Sequence, residues 1–388
     1  FLITLAISMS VAFVPVMMRS LYQPLWNLSE DIIIALPISL EMLFFAVGLI
    51  TGGSLSSRGR WKHAQIAGIA LAAAGLLLSA LSVNMYIFFA ARSFVGLGSG
   101  LILISLRSIV SSEKDSVLKS HAYAHFYAGS MAGLNVGVFF GAFLADQIGF
   151  YDVFYVAFAL AIISGLLMVQ LLFGIKIAPN KITLKPVGVF RFIIEPKVIL
   201  FFLFIILPTY TAGMFLVYYF PLFATEKGLS VSDVGRFFIV NGLFVIYLGP
   251  TLSRLFKRHF SDRVSLLAGS AGWAIAMAFF ALTGNIAGAV ATVIVMGIVE
   301  GFAVTAQNDY YLNIDLVKKI GEERAVAYFE VAAKIAEMAA PILFGAILIL
   351  GPLKGIGMFT VLLVIVTLVY IPISAVGHCK DKAGGETK

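Results

Sequence analysis

Glu330, Lys334 and Glu337 stand four and three residues apart within an apolar stretch of this 388-residue chain. At roughly 100° of rotation per residue they fall within about 60° of one another, a single stripe on a helix. Lys334 neutralises one carboxylate at a time, which leaves the other free to take a proton or hold a cationic group. The plainer reading is a static charge cluster stapling this helix to a neighbour. Glu41 lies in Ser39-Leu40-Glu41-Met42-Leu43-Phe44, another apolar run. An ionised carboxylate there must pair with a base, face a hydrated cavity or carry a proton, unless a fixed hydrogen bond to another helix holds it. Arg92 is the candidate counter-ion. Glu300 sits in the middle of a further apolar run, with Asn308 and Asp309 towards its end.

Other polar residues carry weaker signals. His121 and His125 are four apart, a spacing that can place two imidazoles on one ion, but no third ligand follows from the sequence and no metal is expected. Arg107 is expected to snorkel to an interface. Arg19 is open between a contact to an anionic solute and a rim charge. Tyr218, Tyr219, Tyr310 and Tyr311 either line an amphipathic pocket or form an interfacial belt. There is no G-x-x-x-x-G-K-[ST] phosphate loop and no catalytic motif, so the chain reads as neither an enzyme nor an ATP-driven pump. No cofactor is expected.

The elements that position these residues must be membrane helices. Hydrophobic residues make up 61% of the chain and charged residues 12%, about half the roughly 25% usual in soluble domains. Lipid must therefore solvate it, and in lipid the backbone must satisfy its own hydrogen bonds. Long runs without period-2 alternation favour helices over a barrel. Twelve crossings are predicted, at 1–22, 31–53, 63–82, 85–111, 120–145, 152–174, 198–224, 232–254, 264–284, 286–312, 324–350 and 356–377. With crossing one starting in the cytoplasm, 20 Lys and Arg fall on the cytoplasmic side and 3 on the other. The positive-inside rule then puts both termini in the cytoplasm, most simply at a plasma (inner) membrane. The same bias explains the net charge of +7 without nucleic acid. A lone cysteine, Cys379, excludes an intrachain disulfide. The start at Phe1, with no basic n-region or cleavage site, reads as trimmed.

Short strings recur at about half the chain length. Gly53-x-x-x-Ser57-Arg58 returns as Gly249-x-x-x-Ser253-Arg254, offset by 196. Tyr22-x-Pro24-Leu25-Trp26 returns as Tyr219-x-Pro221-Leu222-Phe223, offset by 197, and Leu28-Ser29 as Leu229-Ser230, offset by 201. Two homologous six-helix bundles are implied, at 1–174 and 198–377. A basic, proline-bearing linker at 175–197 joins them, and 378–388 forms a tail.

This organisation resembles the major facilitator superfamily over essentially the whole chain. Gly53-Ser54-Leu55-Ser56-Ser57-Arg58-Gly59-Arg60 is similar to its loop between crossings two and three, roughly G-x-L-a-D-R-x-G-R-R. Ser57 stands where the family has Asp, and one residue is missing before Gly59, so the resemblance implies a weakened or replaced gating contact. Arg92-x-x-x-Gly96-x-Gly98-x-Gly100 resembles the crossing-four pattern associated with proton coupling. Gly129, Gly133, Gly137 and Gly141 resemble the antiporter motif without its Gly-Pro pair. That stripe is expected to pack crossing five tightly across the contact between halves. The resemblance further implies that crossings one, four, seven and ten line the cavity, where Glu300 meets the crossing-eleven stripe.

The expected function is alternating-access secondary transport of a small organic or amphipathic solute, proton-coupled and exporting, by a monomer in lipid. Glu41, Arg92, Glu300, Glu330, Lys334 and Glu337 are the coupling and substrate candidates. An uptake carrier or uncoupled facilitator, and a transporter-fold sensor or scaffold within a longer polypeptide, are the alternatives.

Overall fold

The computed structural model of the protein describes residues 1–113, 115–172, 174, 194–314, 317–318 and 322–383, with backbone alone at 116, 120, 322–324 and 375–383. Most of the 175–197 linker, and with it Lys176, Lys181, Lys185 and Arg191, lies outside the described residues, as does the end of the tail. The described elements are all helical. Eleven helices are long and apolar enough to cross a membrane. They are Glu30–Ser57, Trp61–Ala80, Met85–Ser111, Val117–Ile148, Phe150–Leu172, Pro196–Glu226, Val231–His259, Asp262–Thr283, Ile286–Leu312, Ala325–Leu348 and Pro352–Ser374. These are crossings two to twelve. Crossing one is the twelfth, split into Leu2–Ser8 and Val14–Leu21.

The split has a local cause. Pro15 lies in the first turn of the second piece, where it lacks an N–H and its ring crowds the carbonyl four residues back, which favours a break before it. The chain between makes tight turns instead, Val11 N–H to Ser8 O at 3.1 Å and Phe13 N–H to Ser10 O at 3.1 Å. Ser8 and Ser10 are thereby buried in mid-crossing. Prolines also mark three wide π-turns. Phe202–Ile206 and Phe215–Tyr219 in crossing seven precede Pro208 and Pro221, and Phe244–Leu248 in crossing eight precedes Pro250. A missing N–H frees a carbonyl one turn earlier, and the wider turn accommodates it.

The two halves share one register. Ser29 and Ser230 are the N-cap residues of crossings two and eight, 201 residues apart. Asn84 and Asn285, again 201 apart, each cap a helix with the side chain, at 3.0 Å to Ile87 N and 2.9 Å to Gly288 N. Gly149 and Gly351 precede crossings six and twelve with φ of 87° and 88°, a backbone that favours glycine. Of the three recurring strings, Leu-Ser is in this register. The G-x-x-x-S-R string, offset by 196, is not, because Gly249 packs on Gly301 as the Gly48–Leu49 turn packs on Gly100. The Tyr-x-Pro strings are not equivalent either. Tyr22 follows the end of a helix, whereas Pro221 lies inside crossing seven.

Glycines set the closest approaches within each half. A Cβ on Gly96 would strike the Glu41 carbonyl and one on Gly100 the Phe45 carbonyl, while one on Gly297 would lie 2.7 Å from the Asn241 carbonyl. Crossing two is thus pressed on crossing four, and eight on ten. The halves themselves meet where crossing two faces eleven and five faces eight: Gly345 packs on the Asp31 carbonyl, Gly235 on Ala142 and Gly242 on Asn135.

Candidate functional site at the contact between the halves

Arg92 and Glu41 form a sealed pair between crossings four and two. Arg92 is 1% exposed and Glu41 9%. Arg92 Nε donates to Glu41 Oε2 at 3.1 Å, Nη2 contacts the same oxygen, and Nη1 donates to Ser10 Oγ at 3.1 Å. A buried charge is tolerable only with such a full set of partners. The broken crossing one is therefore tied to crossings two and four through one guanidinium. Proline sets the break, glycine sets the approach, and the ion pair locks both.

The crossing-eleven stripe faces the other half. Lys334 Nζ lies 2.6 Å from Glu337 Oε2 and 4.7 Å from the ring centroid of Phe45 in crossing two. Glu330 Oε1 accepts from Arg107 Nη2 of crossing four at 3.1 Å. Arg107 therefore does not end in a lipid interface as its position suggested; a carboxylate of the other half captures it. Both side chains are a little under one-third exposed.

Glu300 projects from mid-crossing ten and is partly exposed. Among the described residues it has neither a hydrogen-bond nor an ion-pair partner. Crossing eleven of one half and crossings two and four of the other thus bring two carboxylates, two bases and an aromatic ring to one seam.

The other sequence candidates take different places. Gly53 is buried and Arg58 and Arg60 are exposed. Gly59 turns the chain with φ of 74°. Ser57 Oγ donates to Ser54 O of its own helix at 2.9 Å. In the second half Ser253 Oγ donates to Gly301 O at 3.4 Å and Arg254 Nε to Pro250 O at 3.2 Å. The glycine stripe corrects an expectation. It packs on crossing one of its own half: a Cβ on Gly133 would meet Phe1 O at 2.6 Å, and on Gly137 and Gly141 the carbonyls of Leu5 and Met9, while one on Gly129 would lie 3.9 Å from Phe1 N. The face of crossing five that meets crossing eight carries Asn135, Phe139 and Ala142. A period-four stripe reveals a face, not its neighbour. His121 and His125 are both exposed, and no cluster of three or more metal-ligating side chains occurs among the described residues.

At the end of the bundle away from the chain termini, polar contacts join the halves. Arg19 Nη1 meets Glu226 Oε1 at 2.7 Å, a rim charge rather than a residue of the central region. Tyr218 Oη donates to the Asp31 carbonyl at 2.6 Å. Asp146 accepts from the backbone N–H groups of Val231 at 3.2 Å and Ser232 at 2.7 Å, capping crossing eight from the opposite half. Asp146 had no sequence signal, because its partners are backbone groups 85 and 86 residues away.

Among the described residues, eleven membrane-length helices and a split first crossing, in two halves of one register that meet across a charged seam, define a polytopic membrane transporter. The sequence profile of the Major Facilitator Superfamily matches residues 1–315, and the chain belongs to that superfamily. Similar solved structures include a POT family transporter in complex with thioalcohol conjugated peptide, at 14% identity, 96% coverage of this chain and 95% of that one, TM-score 0.73. Another is a POT family transporter in complex with 5-aminolevulinic acid, at 15% identity, 97% and 96% coverage, TM-score 0.67. The human organic anion transporter MFSD10 (TETRAN) aligns at 14% identity, 95% and 96% coverage, TM-score 0.65. At these identities the likeness is one of fold. No curated protein sequence matches.

Proposed function

We propose that this chain is a proton-coupled secondary transporter of a small organic or amphipathic solute, exporting it by alternating access as a monomer in the plasma membrane. Both termini are cytoplasmic in this reading, and the two bundles, 1–174 and 198–377, rock about the seam. The observation that supports coupling most is the Arg107–Glu330 pair, a partly exposed ion pair that joins the halves on the terminal side. Protonating Glu330 removes one of the two charges, so the states in which the pair is closed and open change in relative stability. Glu337 and Lys334 form the neighbouring pair that the same proton can reach. Glu41 and Arg92, sealed from water, hold crossing one in place. The compounds in two of the similar structures, a conjugated peptide and 5-aminolevulinic acid, are of the size this reading needs.

The test is solute flux in proteoliposomes under an imposed pH gradient. The wild type responds to the gradient. Glu330→Gln keeps solute exchange at equal pH and loses the gradient response. Gradient-driven flux that is unchanged in Glu330→Gln removes coupling from this residue.

A further inference from the structure

We propose that the junction of crossings eight, nine and ten, on the terminal side of the second half, binds a hard divalent cation, Mg²⁺ or Ca²⁺. Its ligands are the carboxylates of Asp262 and Asp309 and the hydroxyl of Ser265. The site is separate from the seam and independent of the solute and of coupling.

A cleft brings these groups together. Asp262, Ser265, Thr305 and Asp309 line it, together with Lys257 and the Phe256 and Phe302 rings, which stack at 4.5 Å. The centre of a water-sized sphere has about 10 Å³ to move in, room for one ion or water and not for an organic solute. Asp262 opens crossing nine and Ser265 lies a turn further on, while Thr305 and Asp309 are a turn apart at the end of crossing ten. Asn313 Nδ2, a turn past Asp309, donates to Asp262 Oδ2 at 2.8 Å and ties the two helix ends together. Four side chains thus present oxygens to one small space, two of them anionic, and Mg²⁺ and Ca²⁺ take oxygen ligands.

Two observations go beyond a pair of acids. Ser265 is 4% exposed, and its Oγ has no hydrogen-bond partner among the described residues. A buried hydroxyl left unsatisfied is costly, and an occupant of the cleft relieves it. Asp309 stands in the last turn of crossing ten, where the carbonyl end of the helix disfavours negative charge. Asp262, in the first turn of crossing nine, suits its own helix, but Asp309 needs a cation. Lys257 supplies one at 2.7 Å, yet its side chain is 52% exposed, and exposed pairs of this kind contribute little. The ammonium is free to swing into water and cede the carboxylate. Arg254 and Arg263 do not compete, since Arg254 Nε donates to Pro250 O at 3.2 Å and Arg263 is held by Ser374 Oγ and the Ile371 carbonyl.

Helix packing does not account for the acids. In the register of 201 residues Asp262, Ser265, Thr305 and Asp309 correspond to Trp61, Ala64, Ile104 and Ser108. Trp61 and Ala64 are buried, and Ser108 satisfies its hydroxyl on Ile104 O at 2.9 Å. The first half builds the same junction with no carboxylate at these four positions.

The experiment measures melting of the detergent-purified full chain, stripped with chelator, against MgCl₂ and CaCl₂, with NaCl at matched ionic strength as the control. A ligand of the native state raises the melting temperature with concentration. At least one divalent salt is expected to give a saturable rise that NaCl lacks, and the salt acting at lower concentration names the ion. Asp262→Asn and Asp309→Asn are expected to lose the rise, and Ser265→Ala to move it to higher concentration. Lys257→Gln removes the competing ammonium and is expected to move it several-fold lower, a gain that a merely structural ion pair would not give. No saturable rise with either divalent salt, an equal rise with NaCl, an unchanged rise in Asp309→Asn, or no gain in Lys257→Gln overturns the inference. Should the aspartate variants fail to fold, Lys257→Gln and Ser265→Ala decide it.

Discussion

Where crossing two meets crossing four, Gly96 lies on the Glu41 carbonyl, and where crossing eight meets crossing ten, Gly297 lies on the Asn241 carbonyl. The backbones approach in the same way in both halves, but the side chains differ. In the first half Glu41 pairs with Arg92, sealed by Ser10. At the corresponding place in the second half Asn241 Nδ2 donates to the Val293 carbonyl at 3.0 Å, a neutral bond between the same two crossings. The second half carries charge into the seam from crossing eleven instead, where Glu330 meets Arg107. One duplicated contact is a buried ion pair in one copy and a neutral hydrogen bond in the other. The ion pair holds a crossing that proline has already broken, which is the place where the first half most needs a fixed point.

The largest effect should come from the ion pair. Arg92→Leu leaves Glu41 buried without its base, a loss of about 3–5 kcal/mol of stability. The double variant Glu41→Gln/Arg92→Leu recovers most of it, because no uncompensated charge remains. Melting of the two purified variants checks this, and a double variant no better than the single one would show that the charge itself matters little. The neutral counterpart should cost less. Asn241→Ala removes one hydrogen bond worth about 1 kcal/mol and leaves the Val293 carbonyl bonded within its helix. Equal losses for Arg92→Leu and Asn241→Ala would erase the distinction between the halves.

Much of the fold was legible, because apolar runs of membrane length leave little choice of element or number. Crossing one was an exception. Pro15 stood in plain view, but an apolar run conceals a break that composition alone does not register. The pairing of Glu41 with Arg92 was legible in the sequence, since a carboxylate inside an apolar run needs a base and Arg92 was the candidate. Arg107 was not, for its partner Glu330 is 223 residues away on the other half. Depth suggested an interface, and contact between halves overrode it. The glycine stripe failed for a related reason: crossing five has two packed faces, one on crossing one and one on crossing eight, and spacing does not say which is which. The repeat was detected with an offset close to the true one, yet two of its three strings were out of register. A helix end capped by Ser or Asn is pinned by backbone geometry, whereas a string inside a helix can match by chance one turn away.

The central claim is that the charge on Glu330 holds the halves together on the terminal side. Spin labels at Ser111 of crossing four and Val326 of crossing eleven, in the wild type and in Glu330→Gln, measure it directly as a distance distribution. A short distance is expected in the wild type and a long one in Glu330→Gln. The same short distance in Glu330→Gln would contradict it.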